Sequence, residues 1–157
     1  MNIESAMSLA IEVAKEASIA GDDVPVGAVV LNSLGEVIAT GGNERELTQD
    51  PTAHAEVVAL RRAAAAVGSW RLDGHTLVVT LEPCSMCAGA IVQSRISSLI
   101  FGAWDKKAGA VGSVWDVVRD SRTLSKVEVS VGVMADECAQ LMTDFFEVRR
   151  KGNLDAK

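Results

Sequence analysis

Two short stretches most constrain how this chain can fold, because their side chains have to meet in space. The first contains His54 and Glu56, and the second, about thirty positions later, contains Cys84 and Cys87 directly after Pro83. One imidazole and two thiolates are ligands of the type that zinc prefers, and three protein ligands leave the fourth tetrahedral position to water. The residues therefore predict a catalytic zinc site, in which Glu56 carries protons beside the metal-bound water and is not a ligand.

The spacing of these residues indicates that they lie at the N-termini of helices. Cys84 and Cys87 are three positions apart, which places both on one face of a helix, and the preceding proline suits the first turn. The positive end of the helix dipole lowers thiol pKa values and favours ionised sulfurs. His54 and Glu56 are two positions apart, so they converge only on a metal that lies off the start of their helix. Residues 50–52, Asp-Pro-Thr, are predicted to begin that helix.

Length and composition predict one domain over residues 1–157, which is long enough to bury a sizeable core. Three cysteines are too few for a disulfide framework, and two belong to the predicted metal site, so a reducing compartment is expected. Acidic residues interrupt the apolar pattern near the N-terminus, and no run reaches transmembrane length. We therefore expect a cytoplasmic protein that does not associate with a membrane.

Hydrophobic periodicity predicts an α/β fold in which strands alternate with helices, so that ligands bind at the carboxyl ends of parallel strands. The predicted elements, in chain order, are a helix at 3–20, a hairpin of strands at 26–31 and 36–40, a polar loop to 50, a helix at about 52–67, a strand at 76–81, the cysteine helix to about 94, a strand near 97–102, a glycine-rich loop at 103–113, a strand at 126–131 and a helix from 135 to about 151. Cys138, Trp70, Trp115 and the Phe145-Phe146 pair are assigned first to packing.

Several stretches extend the motif pattern over most of the chain. They are PVGAVV, DPTAHAE, TLEPCSMCAGAI, SRI, FGAWDKKAGAVGS and ADECAQLMTDFF. A His-x-Glu followed at a distance by Pro-Cys-x-x-Cys is the general signature of the zinc-dependent nucleoside and nucleobase deaminases. With the flanking stretches, the chain closely resembles the bacterial tRNA-specific adenosine deaminases of the cytidine and deoxycytidylate deaminase superfamily.

The resemblance implies a three-layer α/β/α fold with a mixed five-stranded sheet, a homodimer and one zinc ion per chain. It implies hydrolytic deamination of adenosine to inosine at the wobble position of an arginine tRNA anticodon. It also implies that His54, Cys84 and Cys87 hold the zinc and that Glu56 is the proton shuttle. The residues expected to contact the substrate are Val26, Asn43, Ala55, Asp105, Lys107, Phe146 and Arg149.

The net charge of −6 is unevenly spread and does not exclude an RNA partner. Residues 1–60 hold ten acidic and two basic residues, whereas residues 61–157 hold eleven and thirteen. The Lys106-Lys107 pair and the basic run at 149–151 fit phosphate contacts, although each alone is also typical of a solvated surface.

Two other functions stay open. A deaminase of free cytosine, guanine or a nucleoside would use the same chemistry, and a non-catalytic zinc-bearing RNA-binding or adaptor protein would use the same metal. Glu56 argues against the adaptor, because a structural metal site has no use for a carboxylate beside an open position. The glycine-rich loop and the basic tail favour RNA over a small substrate.

Overall fold

The computed structural model describes residues 1–156, so Lys157, the last residue of the predicted domain, lies outside the described residues. The elements are α1 (Ile3–Gly21), β1 (Gly27–Leu31), β2 (Val37–Gly42), α2 (Arg45–Thr48), α3 (Ala55–Val67), β3 (Thr76–Leu81), α4 (Ser85–Gln93), β4 (Ser98–Ala103), β5 (Glu128–Val131) and α5 (Ala135–Asp155).

The strands form one mixed sheet in the order β2-β1-β3-β4-β5. The predicted hairpin is present, since β1 is antiparallel to β2, and β1 is also antiparallel to β3. The pairs β3-β4 and β4-β5 are parallel. The predicted mixed five-stranded sheet is therefore confirmed, and β2, β3, β4 and β5 all end at the same edge.

Helices cover both faces of the sheet and bury two apolar clusters. Side chains alternate along β3, so Leu77 and Val79 face the cluster that contains residues of α3 and α4, whereas Val78 faces the cluster of α1 and α5. All three side chains are fully buried, and each such burial stabilises the fold by roughly 1.5–3 kcal/mol. This arrangement is the predicted three-layer α/β/α architecture.

Gly41 in β2 lets the first turn of α3 lie directly against the sheet. A Cβ at this position would be 2.5 Å from the carbonyl oxygen of Ala55 and from the amide nitrogen of Ala59. A larger residue would push the helix away, because both neighbours are backbone atoms. The start of α3 is thereby fixed relative to the edge where the strands end.

The helices differ from the predictions at four points. Helix α3 begins at Ala55 and not near residue 52, because the Asp50 carboxylate accepts hydrogen bonds from the amide and hydroxyl of Thr52 and closes a separate turn. Pro83 precedes the N-cap of α4 and is not in its first turn. The short helix α2 lies within the predicted polar loop, and α5 continues to Asp155.

The packing assignment is right for Cys138, which is buried in the α1–α5 cluster. It is wrong for Trp70, Trp115 and Phe146, whose exposed fractions are 62%, 55% and 46%. Trp70 lies beyond the end of α3, where the guanidinium carbon of Arg71 is 5.6 Å from the ring centre in a cation–π contact at the surface. Among residues 1–156, no helix combines the length and apolar character that crossing a membrane requires.

Candidate active site

The candidate site lies at the edge of the sheet where β2, β3 and β4 end. Asn43 and Glu82 directly follow β2 and β3, and Asp105 lies just beyond β4. The N-termini of α3 and α4 reach the same edge, because Gly41 brings α3 against the end of β2 and α4 follows β3 after a short turn. This is the position predicted from the alternation of strands and helices.

The three predicted metal ligands meet between the two helix starts. His54 is the N-cap of α3, Cys84 is the N-cap of α4, and Cys87 lies in the first turn of α4. Neither cap side chain bonds a backbone amide of its helix. Instead, Nδ1 of His54 lies 3.6 Å from the Sγ of Cys84 and 3.6 Å from the Sγ of Cys87.

These positions fit a zinc ion. A tetrahedral site with Zn–N and Zn–S distances of about 2.05 and 2.3 Å separates a nitrogen from a sulfur ligand by roughly 3.6 Å. Both nitrogen–sulfur separations match that value, and the three ligand atoms all lie within 4.8 Å of one another. His54, Cys84 and Cys87 are thus placed to bind a metal ion.

The electrostatics of the cysteines also suit a metal site. The hydrogen bond with Cys87 holds the pKa of the Cys84 thiol at about 4, whereas the same contact raises the pKa of Cys87. Cys84 is therefore the sulfur that ionises first. A bound dication favours ionisation of both sulfurs, so metal binding is expected to release a proton from Cys87.

Glu56 is a buried carboxyl group beside the three ligands. It is the second residue of α3 and only 4% exposed. Burial raises the pKa of Glu56 to about 7, and the neighbouring Cys84 adds to this effect. A group with a pKa near the working pH can both accept and return a proton, so this environment suits a proton carrier.

A cavity of about 290 Å³ opens beside these residues. Six of the seven residues predicted to contact substrate line it: Val26, Asn43, Ala55, Asp105, Lys107 and Phe146. The Asn43 side chain donates to the Val24 carbonyl and accepts from the Arg45 amide. Because an amide group has two donors and two lone pairs, one N–H and one lone pair of Asn43 remain available to a ligand.

Arg149 is the exception, since it does not line this cavity. It lines an adjoining groove together with Lys107, Phe146 and Arg150. Lys107 and Phe146 belong to both the cavity and the groove. The basic run at the end of α5 therefore continues the surface that starts at the cavity mouth.

Two charged residues of the cavity, Arg45 and Glu82, were not predicted as site residues, although both stand out in the structure. Arg45 lines the cavity, and its guanidinium donates to the buried carboxylate of Asp23 at 2.7 Å. Glu82 also lines the cavity and is 2% exposed. A signal for Glu82 exists in the sequence, because it is a charged residue between an apolar strand and the cysteine motif. Arg45 carries no such signal, since it is one of several charged residues in a polar loop.

Comparison with known proteins identifies the family. Residues 1–103 match the model of the cytidine and deoxycytidylate deaminase zinc-binding region. The chain therefore belongs to this family of zinc-dependent deaminases.

Within the family, the chain is similar to tRNA-modifying members over nearly its whole length. It is 46% identical over 148 residues to the tRNA-specific adenosine deaminase of Haemophilus influenzae, covering 94% of this chain and 85% of that protein. A solved tRNA:A34 deaminase, described as editing A to I at the wobble position of transfer RNA, superposes with a TM-score of 0.83 at 42% identity, covering 87% of this chain and 98% of that one. A guanine deaminase from Nitrosomonas europaea superposes with a TM-score of 0.76 at 28% identity, covering 90% and 83%.

Proposed function

We propose that this protein is a single-domain enzyme that hydrolytically deaminates adenosine to inosine at the wobble position of a tRNA anticodon, with an arginine tRNA as substrate. The observation that carries the proposal is the buried Glu56 beside three zinc-type ligands, in a cavity that continues into a basic groove. A cavity alone would suit a free base, whereas the groove suits the nucleotides that flank a base held in the cavity.

The roles of the residues follow from their chemistry. Zinc held by His54, Cys84 and Cys87 supplies a Lewis acid that lowers the pKa of water to about 7. Glu56 takes a proton from the attacking water and delivers it to the ring nitrogen of the base. The water oxygen bonds to the carbon that bears the amine, and Glu56 passes the second water proton to the amine nitrogen. The carbon–nitrogen bond then breaks, so that ammonia leaves and the carbonyl of inosine remains. Asn43 orients the base or its ribose through its free N–H and lone pair.

The groove holds the neighbouring nucleotides. Lys107, Arg149 and Arg150 supply cations for phosphates, and Phe146, which is 46% exposed, supplies a ring on which a base can stack. Val26 and Ala55 form apolar walls of the cavity, and the backbone around Asp105 forms its rim. Because the cavity is assigned to one base and the groove to its neighbouring nucleotides, the arrangement supports a substrate that is larger than the cavity.

We further propose that the protein is a cytoplasmic homodimer. A reducing compartment keeps the ligand thiols available to zinc. Met86 on α4 and two of the three exposed tryptophans, Trp70 and Trp115, are apolar surface of the kind that subunits bury. Light scattering on the purified chain, at a concentration near 10 µM or above, is expected to give about twice the mass of 16.5 kDa.

The test of the function compares substrates of different size. The zinc-loaded protein is incubated separately with the anticodon stem-loop of an arginine tRNA, with adenosine, with cytosine and with guanine, and released ammonia is measured. We expect turnover of the stem-loop and little or none of the three small compounds. Rapid deamination of a free base with none in the stem-loop would instead assign the protein to the free-base deaminases.

A further inference from the structure

We propose that Glu82 is a positioning residue, whose buried carboxylate holds the loop Asp105–Ser113, named here the rim loop, in the shape that binds substrate. The inference rests on the proposed function for the identity of the substrate. The geometry that supports it does not depend on that identity, because it concerns how one side chain organises one wall of the cavity.

Glu82 is buried without a cationic partner among residues 1–156, where none of the ion pairs involves it. Burying a carboxylate is costly unless hydrogen bonds replace the lost water. All of its hydrogen bonds come from the rim loop. The amides of Asp105, Val111 and Ser113 donate at 3.0, 3.0 and 3.1 Å, and the hydroxyl of Ser113 donates as well. These four donors match the roughly four lone-pair sites of a carboxylate.

The rim loop needs this partner because it contains no regular helix or strand. The amides of Asp105 and Ser113, at its two ends, and of Val111 all donate to Glu82. One side chain therefore satisfies backbone N–H groups that in a β-sheet would bond to a neighbouring strand. The loop is also joined to the metal motif, since the amide of Ala110 donates to the Pro83 carbonyl at 2.8 Å. Glu82 therefore fixes the loop against the segment that carries Cys84.

Gly109 shows how closely the loop fits the carboxylate. A Cβ at this position would overlap the carboxyl carbon and both oxygens of Glu82. Gly109 also forms an isolated antiparallel bridge with Cys84. A side chain at Gly109 would therefore displace either the carboxylate or the backbone next to the metal ligand.

The arrangement reaches the substrate through Asp105 and Lys107. Glu82 holds the amide of Asp105, and the Asp105 carboxylate in turn accepts from the amides of Lys107 and Ala108 at 3.0 and 3.3 Å. Asp105 and Lys107 line the cavity, and Lys107 also lines the basic groove. Glu82 thus sets the position of the cation that stands between the cavity and the groove.

Loss of the Glu82 contacts is therefore expected to weaken substrate binding and to leave the chemical step unchanged. The side chains of the three metal ligands bond one another and not the rim loop, which meets the metal motif only through the backbone of Pro83 and Cys84. We therefore expect a loop that loses its bonds to Glu82, but keeps this backbone contact, to leave the ligand atoms in place. A loss confined to binding raises KM and leaves kcat nearly unchanged.

The test uses Glu82→Gln, with Gly109→Ala as a second variant that disturbs the same contact from the loop side. A Gln places an N–H₂ donor against backbone donors and keeps only one acceptor oxygen. We expect KM for the arginine anticodon stem-loop to rise at least about tenfold in each variant. In Glu82→Gln, kcat is expected to stay within about threefold and the zinc content to stay unchanged, whereas Gly109→Ala, whose backbone neighbours Cys84, is compared in KM and loop exchange only. Ser113→Ala, which removes only the hydroxyl, is expected to raise KM by about two- to fivefold.

Amide hydrogen exchange measures the contact between Glu82 and the rim loop without any substrate. The amides of residues 105–113 are expected to exchange at least about tenfold faster in Glu82→Gln than in wild type, whereas those of α3 keep their rates. Glu128→Gln, at an exposed carboxylate on β5, is the matched control and is expected to change neither KM nor exchange.

Unchanged loop exchange with unchanged KM in Glu82→Gln would overturn the proposal, as would a fall in kcat at constant KM. If Glu82→Gln fails to fold, the same two measurements on Ser113→Ala decide it, because that variant keeps every backbone bond. If wild type does not act on the stem-loop at all, the proposed function fails, and the exchange rates still decide whether Glu82 holds the rim loop.

Discussion

Arg149 near the end of the chain is held by Asp22 at the end of α1. The guanidinium donates to the Asp22 carbonyl at 2.8 Å and to its carboxylate at 3.1 Å, and it lies 4.4 Å from the centre of the Phe145 ring. The Asp22 side chain is 92% exposed, so solvent screens this ion pair and it adds little to stability. A phosphate can therefore replace the carboxylate at small cost.

The first prediction tests whether Arg149 binds a phosphate of the substrate or only braces α5 against Asp22. Arg149→Gln is expected to weaken stem-loop binding by roughly three- to tenfold and to lower the salt slope of log Kd by about one, because one phosphate contact is lost. Asp22→Asn removes the negative charge beside the guanidinium but keeps the bond to the backbone carbonyl, and it is expected to bind as well as wild type or more tightly. Binding titrations at several salt concentrations measure both variants. Equal slopes in wild type and Arg149→Gln would show that Arg149 only braces α5.

Glu56 is predicted to serve chemistry and not metal binding. Glu56→Gln keeps the shape of the side chain but cannot carry a proton, so turnover of the stem-loop is expected to fall by roughly 10²- to 10⁴-fold. Zinc content and the affinity for the stem-loop are expected to stay near the wild-type values. Metal analysis and single-turnover assays check this prediction, and near wild-type turnover would remove Glu56 from the mechanism.

Cys87 and Cys138 are predicted to behave differently when replaced by serine. Cys87→Ser is expected to lose most of the bound zinc together with activity, because a hydroxyl is a poor replacement for a thiolate ligand. Cys138→Ser is the matched control, since its sulfur is buried among the apolar side chains of α1 and α5. It is expected to keep about one zinc per chain and the activity, with a packing cost of about 1–2 kcal/mol in the free energy of unfolding. Zinc loss in Cys138→Ser would mean that the ligand set is misassigned.

The sequence predicts the parts of this molecule whose constraints are local in the chain. The buried strand β3 and the placement of His54 and the cysteines at helix N-termini follow from periodicity and spacing, although α3 begins at Ala55 and not near residue 52. The contacts of Glu82 and Arg149 do not, because each pairs with residues that are distant in the chain. The packing prediction for Trp70 is wrong for a related reason, since its partner is a surface guanidinium and not the core.

A prediction about pH concerns the Asp23–Arg45 pair at the cavity. Burial alone would raise the pKa of Asp23, but the hydrogen bonds from Arg45 and from the amides of Val24 and Glu46 outweigh it, so the pKa is lowered below 3.8. Because the folded-state pKa is depressed, the stabilisation is present at neutral pH and is lost as the pH falls below about 4.

Asp23→Asn is therefore expected to be less stable than wild type by about 1–3 kcal/mol at pH 7, with the difference shrinking below pH 4. Denaturant unfolding at a series of pH values measures it. Asp73→Asn, at an exposed Arg71 pair, is the control and is expected to match wild type throughout. A difference that does not change with pH would show that the carboxylate charge of Asp23 is not what stabilises the fold.

If the cavity accepts one adenosine presented by an anticodon loop, deamination is confined to that one nucleotide of the tRNA. The zinc-loaded protein is incubated with full-length arginine tRNA that carries adenosine at the wobble position, and the product is digested and sequenced for inosine. We predict inosine at the wobble position alone, and none when that adenosine is replaced by guanosine. Inosine at other loop positions at comparable rates, or no inosine while a free base is deaminated, would contradict the account.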